Sequence, residues 1–347
     1  MRKLASIQEV TSIEPIEGAD RIELAHVLGW QCVVNKGSFK PGDLAIYFEI
    51  DSFLPIRPEF EFMRASSYKK NELMGEGFRL RTLTLRGALS QGLLLPISQF
   101  PEIPDGVGIG TDVTEILGVR KWEVEEMATS DGSVIGTLPM DVPHTDETRV
   151  QAEPDLVRDF AGLEYYISTK MDGSSHSASI DEDGFHVTGH RFEYKDDGKC
   201  YFYEMLKERS FKDKMLRYYE KNGFRLFTIQ GELCGAGIQG NKLKLKKPEW
   251  YVFTVRIDGR RVGLDKMREV CTEIGLEMVP IEEVGEDLPS HYPTIESLLE
   301  RADGPYPNGG KKEGIVIRPT VPVYCRILND DLSMKVVNNR FLLKNKE

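Results

Sequence analysis

The chain has 347 residues, 40% of them hydrophobic and 29% charged, and carries a formal net charge of -11. That length accommodates two domains, each large enough to bury a core, in a composition ordinary for a soluble globular protein. The acidic balance excludes a surface coated in basic residues for unspecific nucleic-acid binding, and no apolar run is long enough to span a bilayer.

The start, MRKLASIQEV, lacks the hydrophobic region of a signal peptide. An intracellular protein is expected, cytoplasmic in the first instance with the nucleus as the other compartment, unattached to membranes and monomeric. Cys32, Cys200, Cys234, Cys271 and Cys325 form no C-x-x-C pair, so buried reduced thiols are expected in place of a zinc site or a disulfide framework.

In chain order, the first hundred residues read as short strands. In GDLAIYFEIDSFLP, Leu44, Ile46, Phe48 and Ile50 alternate with Ala45, Tyr47, Glu49 and Asp51, the pattern of a half-buried strand after a Pro-Gly turn. RIELAHVLGWQCVV and FRLRTLTLRGALSQGLLLP add further strand punctuated by glycine, which predicts a small barrel or sandwich. Residues 101–160 are turn-rich and little periodic, and 116–145 is read as a linker. Beyond it, YFYEMLKERSFKDKMLRYYEKNG predicts one helix, with Phe202, Met205, Leu206, Met215, Leu216 and Tyr219 on its buried stripe and Gly223 as its stop. A second helix carries Met267, Val270, Cys271 and Ile274. Lys242, Lys244, Lys246 and Lys247, or Arg79, Arg81 and Arg86, could each supply a local basic groove or a solvated strand face.

Lys170 stands out within YISTKMDGSSHSASI, at the end of a strand-forming run and directly before Asp172, Gly173 and two serines. K-x-D-G alone says little, since ordinary residue frequencies place it in roughly one chain in ten of this length, and a strand ending in an Asp-Gly turn would also explain it. Its company says more. GHRFEYK, FRLFTIQGELCG, WYVFTV and KKEGIVIRP each bring one candidate beside an apolar strand, respectively Arg191, Glu232, Phe253 and Glu313; SMKVVNNRFL follows with Lys335. Carboxylates at the ends of apolar runs are costly to bury alone, so Asp172, Glu232, Glu313 and the two lysines point to one shared pocket.

This ordered set resembles the covalent nucleotidyltransferase superfamily of polynucleotide ligases and mRNA capping enzymes. KMDGS at Lys170 to Ser174 matches its motif I, Arg191 motif Ia, Glu232 in GEL motif III, Phe253 motif IIIa, Glu313 in EGIVIRP motif IV and Lys335 motif V. The resemblance implies that Lys170 takes a nucleotide covalently. A lysine amine attacks phosphorus only when neutral, and its unperturbed pKa is about 10.4. Burial, a second lysine and a bound metal are therefore expected to disfavour its charged form, with Lys335 as that second lysine. The resemblance further implies that Asp172, Glu232 and Glu313 hold Mg2+ or Mn2+ through its water shell. Phe253 would stack on adenine, Arg191 would meet phosphate or ribose, and Gly173 would let backbone approach the nucleotide.

Only Val336 to Glu347 follow Lys335, too short for the C-terminal OB-fold barrel of DNA ligases and capping enzymes. The N-terminal strands resemble RNA-binding OB-fold modules, and RGALSQGLLLP and TDETRVQ, with Arg149, resemble RNA ligases of the Deinococcus and Naegleria type. The fold class implied is α+β, an N-terminal OB-fold β-barrel followed by a nucleotidyltransferase domain of antiparallel sheets flanked by helices. The expected domains are 1–115, the linker 116–145 and 146–347. Two positions depart from the family pattern. Thr169 stands where many RNA ligases have an adenine-reading glutamate, and Val337 where a second motif V lysine lies. The latter's role could fall to Arg318, as a further nucleotide contact, or to Lys312.

The function implied is ATP-dependent sealing of 3'-OH and 5'-phosphate RNA ends through lysyl-AMP, at nicks in RNA or RNA-containing duplexes. The enzyme alternative is a GTP-dependent capping guanylyltransferase. The alternative of another class is a non-catalytic RNA-binding protein on a ligase scaffold, against which Lys170, Asp172, Glu232, Glu313 and Lys335 all stand intact.

Overall fold

A computed structural model of the chain describes residues 2–123, 133–139 and 142–344. They divide into two compact units, one of Met1–Glu125, Gln151–Pro154 and Leu342–Glu347, the other of Glu126–Val150 and Asp155–Phe341.

The first unit is built from short antiparallel strands. The Leu44–Phe48 strand lies between Ala5–Glu9 and Leu93–Pro96. It was expected to bury one face, yet Ala45, Ile46, Tyr47 and Phe48 are all buried, while Leu44 is exposed. The reason is that the strand separates two cores. Ile46 and Phe48 join Ile7, Phe60, Phe78 and Phe100 on one face, and Ala45 and Tyr47 join Val10, Val27, Trp30 and Cys32 on the other. The antiparallel set Ser12–Pro15, Ile22–Val27 and Trp30–Asn35 is stitched to the Ala88–Gln91 strand by side chains. The Ser90 hydroxyl accepts from the Val33 N–H, and Gln31 donates to the Leu89 carbonyl. FRLRTLTLRG is two strands, Gly75–Arg79 and Thr82–Leu85, and not one.

Parts of the expected linker are structured. Leu117 and Val119 are buried in the first unit's core, and Val134–Thr137 pairs with Phe192–Tyr194 in the second unit. Residues 124–132, also read as linker, lie outside the described residues.

Among the described residues the second unit holds two main, largely antiparallel sheets and a small antiparallel pair, Tyr324–Cys325 with Asp330–Asp331. The larger runs in the order Val134–Thr137, Phe192–Tyr194, Phe185–Thr188, Ser174–Ile180, Phe227–Cys234, Glu249–Ile257 and Arg260–Arg261, with Glu277–Met278 added in parallel to Glu249–Ile257. The smaller runs Ile281–Glu286, Glu164–Lys170, Gly314–Pro319, Met334–Val337. Helices Tyr201–Glu208, Phe211–Asn222 and Leu264–Ile274 share the larger sheet's core, while Ile295–Ala302 packs with the smaller sheet.

The sequence 201–223 forms two helices where one was expected. The break is at Ser210, whose φ of 58° is left-handed and cannot continue a right-handed helix. The turn lets Phe202, Met205 and Leu206 enter the same core as Met215 and Tyr218, while Leu216 and Tyr219 pack partly buried at its edge. Gly223 does end the second helix, at φ 66° with its N–H donating to the Tyr219 carbonyl. Met267, Val270, Cys271 and Ile274 are buried as the periodicity predicts, and all five cysteines are buried. No helix among the described residues is long and apolar enough to cross a membrane.

Candidate active site

Lys170 is the last residue of the Glu164–Lys170 strand in the smaller sheet, and Ser174 is the first of Ser174–Ile180 in the larger. Met171, Asp172 and Gly173 are thus the crossover between sheets. Met171 anchors the crossover by packing with Cys234, Leu243, Val279 and Tyr306. Gly173 is forced by contact, since a Cβ there would lie 2.4 Å from the Leu233 carbonyl oxygen and 2.7 Å from the Cys234 sulfur.

Beside the crossover lies a cavity of about 280 Å³. Lys170, Gly173, Glu232, Phe253, Arg318 and Lys335 all line it, with Ser168, Val279, Val316, His190 and Glu147. Glu232 reaches it from the larger sheet, where it stands opposite Ser175. Lys335 reaches it from the smaller, opposite Val316. Arg149 and Arg191 are not among the lining residues, although the Arg149 backbone pairs with that of Lys335.

Phe253 owes its place to an irregularity. Gln230 pairs with Thr254 and Gly231 with Val252, so Phe253 is the extra residue of a β-bulge. A bulge breaks the alternation of side chains and re-aims one of them. Phe253 lines the cavity with Met171, Val279 and Val316, apolar surface on which a flat base could lie.

The Lys170 Nζ lies 2.8 Å from Glu313 Oε2. Asp172 is ion-paired with Lys242 at 3.0 Å. Burial alone would push Lys170 towards neutrality, but Glu313, Glu232 and Asp172 outweigh it and raise its pKa above the ordinary lysine value. The carboxylates thus hold the proton on Lys170, so the neutral amine that the sequence reading calls for depends on the cation that reading also calls for. Glu232 shows the converse effect. Burial first, and then the neighbouring Glu313 and Asp172 charges, push its carboxyl up to about 8 despite Lys170. Asp172 is raised too, by burial and Glu313. Burial and mutual repulsion thus disfavour the charged forms of Glu232 and Asp172, the condition under which added positive charge is favourable. Among the described residues no three His, Cys, Asp or Glu side chains are set to grip an ion directly. The donor set fits a hydrated divalent cation held by Asp172, Glu232 and Glu313 through water.

The two candidates for the missing motif V lysine differ from expectation in what they touch. Lys312 is buried against both oxygens of Glu282, at 2.8 and 2.7 Å, and does not line the cavity. Arg318 lines it, but its guanidinium donates to Ser333, to the Phe253 carbonyl, to Thr254 and to Glu147. Thr169 likewise donates to Glu282 at 2.7 Å. Glu282 is itself a bulge residue, skipped between Ile167↔Glu283 and Ser168↔Ile281.

Glu147, Glu282 and Tyr306 were not singled out in the sequence, and Lys242 enters its reading only as part of a possible basic groove, whereas its amine here pairs with Asp172. Only Glu147 had a signal, two residues before Arg149 in TDETRVQ.

The family model described as RNA ligase matches residues 163–337, and one described as an OB-fold domain matches residues 4–97. The chain belongs to the RNA ligase family. Naegleria gruberi RNA ligase with PPi is 33% identical, with a TM-score of 0.88, over 100% of this chain and 99% of that one. A mutant of the same enzyme with ATP and Mn gives 33% identity and a TM-score of 0.85, covering 98% and 97% of the two chains. Another, with AMP and Mn, gives 33% and 0.87, covering 98% of each. No curated protein sequence matches the chain. This RNA ligase thus has an N-terminal OB-fold and a transferase-type unit of antiparallel sheets flanked by helices.

Proposed function

We propose that the protein is an ATP-dependent RNA ligase that seals 3'-OH and 5'-phosphate ends, at nicks in duplexes, through a lysyl-AMP intermediate on Lys170. The observation that carries this reading is the meeting of Lys170, Glu232, Phe253 and Lys335 around one cavity, with Glu313 2.8 Å from the lysine amine. The ATP and AMP complexes of the N. gruberi enzyme support it.

In the first step the neutral Lys170 amine attacks the α-phosphorus of ATP; a P–N bond forms and pyrophosphate leaves. The RNA 5'-phosphate oxygen then attacks that phosphorus, the P–N bond breaks, and AMP is carried on the RNA end. Finally the 3'-OH oxygen attacks the 5'-phosphate and AMP leaves. Asp172, Glu232 and Glu313 would hold a divalent cation, Mg2+ or Mn2+, through water, and it would supply positive charge beside the reacting phosphates. Glu313 keeps the lysine amine in place, and its charge is the hold that must weaken before the amine is free. Phe253 stacks on the adenine, Lys335 faces the phosphates from the neighbouring strand, and Arg149 and Arg191 take phosphate or ribose once the nucleotide is bound. Arg318 acts from behind the base.

The OB-fold module, 1–115, would grip RNA, with 116–145 as connector and 146–347 as transferase. Duplexes containing RNA are read mainly through phosphates and 2'-hydroxyls, and Arg81 is a suitable contact. Incubation with α-labelled ATP and metal tests the core of the reading: label should appear on the protein, more from ATP than from GTP, and vanish in Lys170→Ala. Label persisting in that variant would overturn the assignment.

A further inference from the structure

The strand Glu164–Lys170 pairs with Gly314–Pro319 up to Lys170↔Gly314, and there the ladder stops. The next backbone groups are bridged by a side chain. The Tyr306 hydroxyl donates to the Lys170 carbonyl at 2.9 Å and accepts from the Glu313 N–H at 3.1 Å. Tyr306 is 2% exposed, its ring packed with Met171, Leu243 and Val279.

The interruption matters because of alternation. In a continued antiparallel ladder Glu313 would sit opposite Met171, with its side chain on the sheet face away from Lys170. A hydroxyl between the strands holds them apart at that point, satisfies both backbone groups, and frees Glu313 to turn its carboxylate to the Lys170 amine. Gly314 permits the kink, for a Cβ there would lie 2.1 Å from the Val336 carbonyl oxygen. The loop bearing Tyr306 has a second hold on the site: the Gly310 N–H donates to the carbonyl of Lys242, whose amine pairs with Asp172.

We infer that Tyr306 is a positioning residue of the ligase, whose hydroxyl takes the place of a ladder hydrogen bond and sets the approach of Glu313 to Lys170. This rests on Lys170 being the nucleophile. Tyr306 touches no reacting atom, so its loss acts on the rate of lysine adenylylation and spares ATP binding.

The test compares Tyr306→Phe, which keeps the ring and removes the hydroxyl, with Leu243→Ala, which loosens the same core and leaves the hydroxyl. Single-turnover transfer of label from ATP to the full-length protein is measured against ATP concentration, with thermal melting of each variant. Tyr306→Phe is expected to slow the saturated rate by about tenfold to a hundredfold, the cost of misplacing a reacting group by a fraction of an ångström to one ångström. Its half-saturating ATP should stay within about twofold of wild type, as uniform binding is untouched. Leu243→Ala is expected to melt lower yet label within about threefold of the wild-type rate. A wild-type rate in Tyr306→Phe, a change confined to half-saturating ATP, or an equal slowing in Leu243→Ala would each overturn the inference while leaving the Lys170 reading intact. Absence of label from the wild-type protein, or its persistence in Lys170→Ala, would overturn both.

Discussion

Arg318 donates from Nη1 to the main-chain carbonyl of Phe253, 2.5 Å away, and so fastens the one residue of its strand that the neighbouring strand leaves out of register. The same guanidinium pairs with Glu147. The ring expected to carry the base is thereby held by a buried ion pair and not by the sheet alone. Arg318→Lys keeps the charge but loses the planar fork that serves Phe253, Thr254 and Glu147 together. It should raise half-saturating ATP by about tenfold, with a smaller change in the saturated rate, which a titration of lysine labelling would show.

The pair also sets a pH dependence. Burial would raise the Glu147 carboxyl, but Arg318 and then Arg261 outweigh it and hold it down to about 2. An unfolded glutamate takes its proton near pH 4.3, so the contribution is complete above about pH 5 and is lost as pH falls through about 2, on the order of 3 kcal/mol. Glu147→Gln leaves a buried guanidinium without its counter-ion, a change that costs about 3 to 5 kcal/mol. Thermal melts from pH 7 to pH 3 should show the variant well below wild type at neutral pH and the gap narrowing in acid. A constant gap would contradict the pairing.

Glu232 is predicted to act on metal more than on nucleotide. In Glu232→Gln the site loses one of the three carboxylates that surround Lys170. The Mn2+ needed for half-maximal labelling should rise by about tenfold to a hundredfold, in line with other outer-shell losses. A metal titration at saturating ATP reads this directly.

The RNA binding proposed for the first unit would have its own signature. Arg79 stacks over Trp122 at 5.0 Å and is partly committed to that contact, which makes Arg81 the better probe. If Arg81 meets a phosphate, Arg81→Ala should weaken binding of a nicked duplex uniformly across sequences and reduce the salt slope by about one. Lysine labelling without RNA should be unchanged.

Ser210 offers a gain in stability. It is exposed, left-handed at φ 58°, and makes no side-chain cap to the helix it precedes. Ser210→Gly relieves a conformation that costs an L-residue about 1 kcal/mol. A slightly higher melting temperature with unchanged labelling is expected.

How much of this was legible in the sequence differs by residue. Lys170, Glu232 and Lys335 were readable because each ends or interrupts an apolar run in a fixed order, a pattern that survives in one dimension. Phe253 was readable as a residue but not as a bulge, since a bulge depends on what the partner strand does at Gln230 and Gly231. Arg318 and Lys312 looked interchangeable as spare cations; only the fold reveals that one faces Glu147 and the other Glu282. Tyr306 sits among Gly, Pro and Asn in a loop, where composition signals a turn and nothing more. The alternation of Leu44 to Ile50 gave a strand correctly, and missed its second buried face because alanine and tyrosine are neutral in a hydrophobic pattern. Ser210 broke a helix whose spacing on either side remained helical.

The crossover at Met171 to Gly173 has a consequence for biosynthesis. Lys170 belongs to one sheet and Glu232 to the other, while Glu313, just before the Gly314–Pro319 strand, and Lys335, on Met334–Val337, are synthesised last. The pairings that bring them together are long-range, the slowest kind to form. A chain still emerging from the ribosome, or one cut short before Met334–Val337, has Lys170, Glu232 and Glu313 in its sequence but lacks Lys335 and the strand that pairs with Gly314–Pro319. The cavity is thus completed only when the last strand of the smaller sheet has joined its neighbour.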